Sequence, residues 1–95
     1  MNWVEIIHLR SSGKIQEPLI RELMDPLAED DKTSGLLMMK IYRNASLDTD
    51  VSVHLHWKSA EARQGGSAIG LHLAQALREF GLVNHSLWVE EMTFT

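Results

Sequence analysis

The chain reads as an α+β, ferredoxin-like domain: a βαββαβ order, with two helices on one face of a four-stranded antiparallel sheet. Three observations predict it. Residues 51–57 alternate strictly, with Val51, Val53, Leu55 and Trp57 on one side and Ser52, His54 and His56 on the other. That is the period-two pattern of a half-buried strand. Residues 14–29 and 68–80 instead carry apolar stripes at helical spacing. Two further apolar runs, near either end of the chain, supply the outer members of the order.

Residues 2–10 form the first strand. Val4, Ile6 and His8 share one face; Trp3, Glu5, Ile7 and Leu9 share the other. Neither face is cleanly polar, as expected of a central strand. Ser11, Ser12 and Gly13 break it. In the first helix Ile15, Leu19, Leu23 and Leu27 recur every four residues, widened by Ile20 and Met24. Pro18 falls in the first turn, where its missing N–H is harmless, whereas Pro26 should kink or end the helix near Asp25. The acidic stretch Glu29, Asp30, Asp31 reads as a solvated connection.

Residues 36–42 and 51–57 form a hairpin across a loop whose turn chemistry comes from Asn44, Asp48, Thr49 and Asp50. Ser59 is placed to cap a short helical turn to Arg63, which Gly65 and Gly66 interrupt. Ser67 is the N-cap of the second helix, residues 68–80, with Ile69, Leu73, Ala76, Leu77 and Phe80 as its stripe. Gly81 is placed to close it. Residues 85–94 make the last strand. The sheet face away from the helices is too apolar for a lone monomer, so two copies should press these faces together.

Composition narrows the function classes. Ninety-five residues make a single domain, 1–95, with a modest core. The net charge of −4 and the lack of a Lys/Arg block argue against nucleic-acid binding. With no cysteine, thiolate catalysis, disulfides and Cys-based zinc sites are excluded. No basic leader opens the chain and no run approaches the ~20 apolar residues of a membrane span, so the expected location is cytoplasmic.

A family resemblance rests on Gly13-Lys14 at the first helix, Gly35 leading into a strand that ends Ile41-Tyr42-Arg43, and Trp57-Lys58-Ser59 closing the third strand. In order and spacing the chain resembles the antibiotic biosynthesis monooxygenase superfamily of dimeric α/β barrels, over nearly its whole length. The resemblance implies a homodimer with an apolar cavity between sheet and helices. It implies cofactor-independent oxygenation of an electron-rich aromatic such as a quinol, with no bound cofactor. Trp57 matches the cavity Trp of the polyketide oxygenases. Their Asn four residues earlier is Val53 here, and their Tyr six residues later is Arg63. The haem-degrading members' set is not intact either: no Trp follows Trp57 before Trp88, and His72 stands at a different offset.

The candidate catalytic residues are Trp57, Tyr42, His54 and His56. Tyr42 and Lys40 share a face near the loop end of their strand, suited to orienting a phenol or carboxylate. His54 and His56 point the same way, and His8 on the neighbouring strand joins them if the register allows. Together these three are the metal-site alternative. Alternation and resemblance disagree about the third strand. Alternation puts Trp57 under the helices and the histidines on the barrel side. The resemblance puts Trp57 on the barrel side and the histidines under the helices, a conflict that a β-bulge would resolve. We follow the resemblance for Trp57 as the expectation. The alternatives to an oxygenase are a non-catalytic small-molecule-binding or structural dimer, and a haem or metal binder.

Overall fold

The computed structural model describes residues 2–28, 35–58 and 65–95. Its elements follow the expected order: β1 (Asn2–Ser11), α1 (Glu17–Ala28), β2 (Leu36–Arg43), β3 (Asp50–Lys58), α2 (Ala68–Leu77) and β4 (Gly81–Val89). The four strands form an antiparallel sheet in the order β2-β3-β1-β4. β1 is a central strand, as its two apolar faces predict. Among the described residues no helix is long and apolar enough to cross a membrane.

The strand register decides which side chains meet the helices. β1 pairs with β3 without interruption, from Asn2 opposite Lys58 to Arg10 opposite Asp50. Trp3, Ile7 and Leu9 of β1 and Val51, Val53, Leu55 and Trp57 of β3 are therefore buried on one side. Ile15 and Ile20, with Ile69, Leu73, Ala74 and Leu77 of α2, complete that core, and Leu19 and Leu23 pack at its margin. The alternation reading of β3 holds. The expectation that Trp57 leaves this face and the histidines take it is overturned. The register shift in the β2–β3 pair lies in β2, between Leu36 and Met38, and β3 itself runs straight.

The boundaries of three elements, α1, α2 and β4, differ most from the sequence reading. α1 continues through Pro26 to Ala28 instead of ending near Asp25. It also starts at Glu17, three residues after Lys14. α2 ends at Leu77 with Arg78 as its C-cap, and Gly81 is the first residue of β4, not a helix stop. The physical reason is close approach: a Cβ at Gly81 would run into the Arg10 carbonyl of the adjoining strand. β4 thus begins four residues before the predicted start and ends at Val89. The predicted turn from Ser59 to Arg63 and the acidic stretch 29–31 lie outside the described residues.

The hairpin loop is anchored by Arg43. Its guanidinium donates to the carbonyls of Asp48 at 2.6 Å and Ile15 at 2.5 Å, tying the β2–β3 turn to the segment before α1. Asn44 Oδ1 accepts from the N–H groups of Ser46 and Leu47, the local turn bond its residue type favours.

Candidate functional site

The covered face of the sheet holds a carboxylate. Glu5 follows the parity of Trp3 and Ile7, so it is carried beneath α2, where its side chain is fully buried. A bare carboxylate there would carry a desolvation penalty of several kcal/mol. It is instead saturated. Trp57 Nε1 donates to Oε1 at 3.2 Å, and Ser67 Oγ donates to the same oxygen at 2.5 Å. The Ser67 backbone N–H donates to Oε2 at 3.0 Å, and His85 Nε2 lies 2.5 Å from Oε2.

Ser67 serves two purposes. Its hydroxyl oxygen also accepts the Gly70 N–H at 2.9 Å, the N-cap bond of α2. The helix start and the carboxylate are thereby locked to each other, with the positive end of the helix dipole on the anion. Two glycines make room. A Cβ at Gly66, which has φ of +103°, would meet the His85 ring at 2.5 Å, and one at Gly70 would overlap the Glu5 carboxylate. Sequence reasoning missed Glu5, Ser67's second role and His85. The available signal was Glu5 itself, a single charged residue at the parity of an otherwise apolar face.

The bare face carries the histidines. Met38, Lys40 and Tyr42 of β2 lie opposite His56, His54 and Ser52 of β3. Val4 and Ile6 of β1 lie opposite His56 and His54, with His8 opposite Ser52. The Tyr42 and His54 rings are 4.6 Å apart, and the His54 and His56 rings 6.4 Å apart. His54 Nε2 is 2.8 Å from Ser52 Oγ. Burial, the neighbouring His56 and Lys40 together hold the His54 imidazole below its ordinary pKa. His8 is drawn to Asp50, 3.4 Å away, a carboxylate also approached by Arg10 at 3.7 Å. The three histidines share the face, as parity requires, but they do not converge. Among the described residues no group of three or more His, Cys, Asp or Glu side chains is placed to hold a metal ion.

The two faces meet at one end of the sheet. A cavity of about 340 Å³ there is lined by Trp3, Val4, Met38, His56, Trp57 and Trp88, among others. The Trp3 and Trp57 rings stack, with centroids 5.5 Å apart and planes inclined by 16°. His56 Nε2 is buried and is the one buried side-chain polar atom without a hydrogen-bond partner among the described residues. Such atoms are rare in native structures because each forfeits its hydration. A larger open groove of about 500 Å³ separates α1 from β2, with Arg21, Asp25, Met39 and Arg43 on its walls.

The predicted residues thus divide. His56 and Trp57 are brought together at the cavity, from opposite faces of the sheet. Tyr42 and His54 pair with each other further along the bare face. Tyr42 reaches the edge of the α1–β2 groove, and it is 48% exposed.

Neither a protein-family profile nor a curated protein matches the chain. Among solved structures, the chain is similar to SnoaB, a cofactor-independent oxygenase from Streptomyces nogalater, determined as a mutant. The TM-score is 0.63 at 16% identity, covering 97% of this chain and 95% of that one. At that identity the likeness is one of fold: the described residues have the four-stranded, two-helix α+β architecture of that oxygenase.

Proposed function

We propose that the chain is a homodimeric, cofactor-independent oxygenase of a hydroxylated, electron-rich aromatic, of the antibiotic biosynthesis monooxygenase kind. The observation that carries this reading is the buried, unpartnered Nε2 of His56, a residue that lines a cavity together with Trp3, Trp57, Trp88 and Met38. Aromatic walls suit a flat ring, and an unpartnered imidazole nitrogen beside them suits a hydroxyl. The full-length fold likeness to a cofactor-independent oxygenase supports the reaction class.

The chemistry balances without a cofactor. His56 Nε2 takes the proton of the substrate hydroxyl, leaving an electron-rich anion. That anion passes one electron to dioxygen, giving an aryloxyl radical and superoxide. The two combine at the para ring carbon, and the proton returns from His56 to form a hydroperoxide. Loss of water then leaves a quinone carbonyl, so one oxygen atom enters the product and the other leaves as water. The protein contributes orientation, a proton acceptor and a site that keeps bulk water out.

The second subunit covers the bare face. Four strands of about nine residues present roughly 550–600 Å² per copy, hence on the order of 1,100–1,200 Å² in a pair, the lower end of specific interfaces. Met38, Tyr42, Leu82 and Trp88 on this face are all about half exposed or more in the single chain. A Met38→Asp variant is expected to sediment as a monomer with unchanged far-ultraviolet circular dichroism. Continued association would contradict this interface.

Oxygen uptake with 1-naphthol and 1,4-naphthohydroquinone tests the activity. The expected result is consumption of dioxygen with quinone formation from 1-naphthol, reduced at least tenfold in His56→Ala. Equal turnover in that variant would remove His56 from the proton step. A second reading has its own support. Glu5 is saturated and Trp57 is only 4% exposed, as in a non-catalytic binding or structural dimer. Tight binding of 1-naphthol with no oxygen uptake would favour it.

A further inference from the structure

We infer that Glu5 is the positioning residue of the aromatic site: its carboxylate fixes the Trp57 indole as the cavity wall. The inference rests on the aromatic-binding reading above and extends it to a residue that touches no ligand.

The geometry places Trp57 between two environments. Trp57 is one of the residues that line the 340 Å³ cavity with His56, and its Nε1–H donates to the buried Glu5 Oε1 at 3.2 Å. Tryptophan has two side-chain torsions. Stacking on Trp3 sets the plane of the ring but leaves it free to slide. A hydrogen bond to a fixed acceptor removes that freedom.

The acceptor is fixed. Glu5 is gripped by Ser67 through both its hydroxyl and its backbone N–H, and by His85 on the other oxygen. Gly66 and Gly70 leave room that this carboxylate and the His85 ring occupy. For burial alone, an apolar side chain at position 5 would avoid the desolvation penalty, and Ser67 would still cap α2 without it. A carboxylate with four donors on it is what orientation of an indole N–H requires. His85 Nε2 meets Oε2, not the oxygen that accepts from Trp57, so it has no direct hold on the indole.

The test compares Glu5→Gln, His85→Gln and Trp57→Phe with the wild type, using calorimetric titration of 1-naphthol and thermal melts. Indole N–H signals are read in ¹H–¹⁵N spectra. In Glu5→Gln the Trp57 indole N–H loses its charged acceptor. Its resonance moves upfield and exchanges faster, and the 1-naphthol Kd of the folded protein rises at least tenfold. In His85→Gln the melting temperature falls while the Kd stays within about threefold. Trp57→Phe keeps a ring but no N–H, and its Kd also rises at least tenfold; it decides the matter should Glu5→Gln not fold.

An unchanged Kd in folded Glu5→Gln, alongside a lowered melting temperature, would make Glu5 merely structural and overturn the inference. An unchanged Kd in Trp57→Phe would do the same. Wild-type protein that binds no 1-naphthol would overturn the aromatic-site reading itself, and the inference with it.

Discussion

The two faces of the sheet treat their polar groups in opposite ways. On the covered face, one carboxylate is fully buried and every bond it can use is made, by Trp57, Ser67 and His85. On the bare face, His54 Nε2 has one local partner, Ser52 Oγ, and the buried His56 Nε2 has none. Both patterns come from neighbouring residues of the same strands, since parity alone separates Trp57 from His56 and Glu5 from Val4. The difference teaches where to look for function. The satisfied network holds the fold and, on our inference, aims a side chain, and the unsatisfied nitrogen is where we propose that a ligand binds.

The largest expected effect breaks the covered face. Leu55→Ala empties a fully buried site and should lower stability by about 3–4 kcal/mol in urea denaturation. Leu82→Ala, 75% exposed on the other face, should change it by no more than about 0.5 kcal/mol when both are measured in the Met38→Asp background. Comparable losses would mean that the two faces are not distinct.

Gly70→Ala sharpens the contrast through its sign. In an ordinary helix interior this change gains about 1 kcal/mol. Here the new Cβ overlaps the Glu5 carboxylate, so a net loss of about 2–3 kcal/mol is expected from thermal or chemical melts. A gain would show that the carboxylate is free to move aside. Ser67→Ala should lose about 1–2 kcal/mol, since it removes both the helix cap and a donor to Glu5.

The bare face should report itself through pH. Burial, His56 and Lys40 depress the His54 pKa in the folded chain. Between that value and the ordinary histidine range, the unfolded chain binds more protons than the folded one. Stability from this group is therefore full above about pH 6.5 and is lost as pH falls through the folded pKa. In Lys40→Gln one depressing charge is gone, so the His54 titration followed by NMR should move upward. A downward move or none would exclude Lys40 as a cause.

Much of this was legible from residues alone. The order of elements followed from periodicity, and the strict alternation of residues 51–57 placed β3 correctly where the family resemblance misplaced it. Helix ends were harder. Gly81 looks like a helix stop, but its meaning lies in the Arg10 carbonyl of a strand seventy residues away in sequence. The start of β4 was hidden because Gly81 looks like the end of the preceding helix and Asn84 separates Leu82 and Val83 from the rest of the strand. Pro26 was read by its local chemistry, whereas α1 runs on for two residues beyond it.

The candidate site was legible in part. Histidines two apart must share a face, and so they do. That His56 and Trp57 meet around the end of the sheet depends on how the sheet's edge is filled by Trp3, Met38 and Trp88, which no single-strand pattern shows. The Glu5 network joins residues 5, 57, 67 and 85. No motif links those positions, and only the anomaly of a Glu at a core parity announces it.

The most direct measurement is the ¹⁵N signal of the histidine side chains, recorded with and without saturating 1-naphthol. The account predicts that His56 Nε2 shifts on binding while the His85 ring, already held by Glu5, stays in place. Movement of His85 with His56 unchanged would contradict it, and so would the absence of any histidine response.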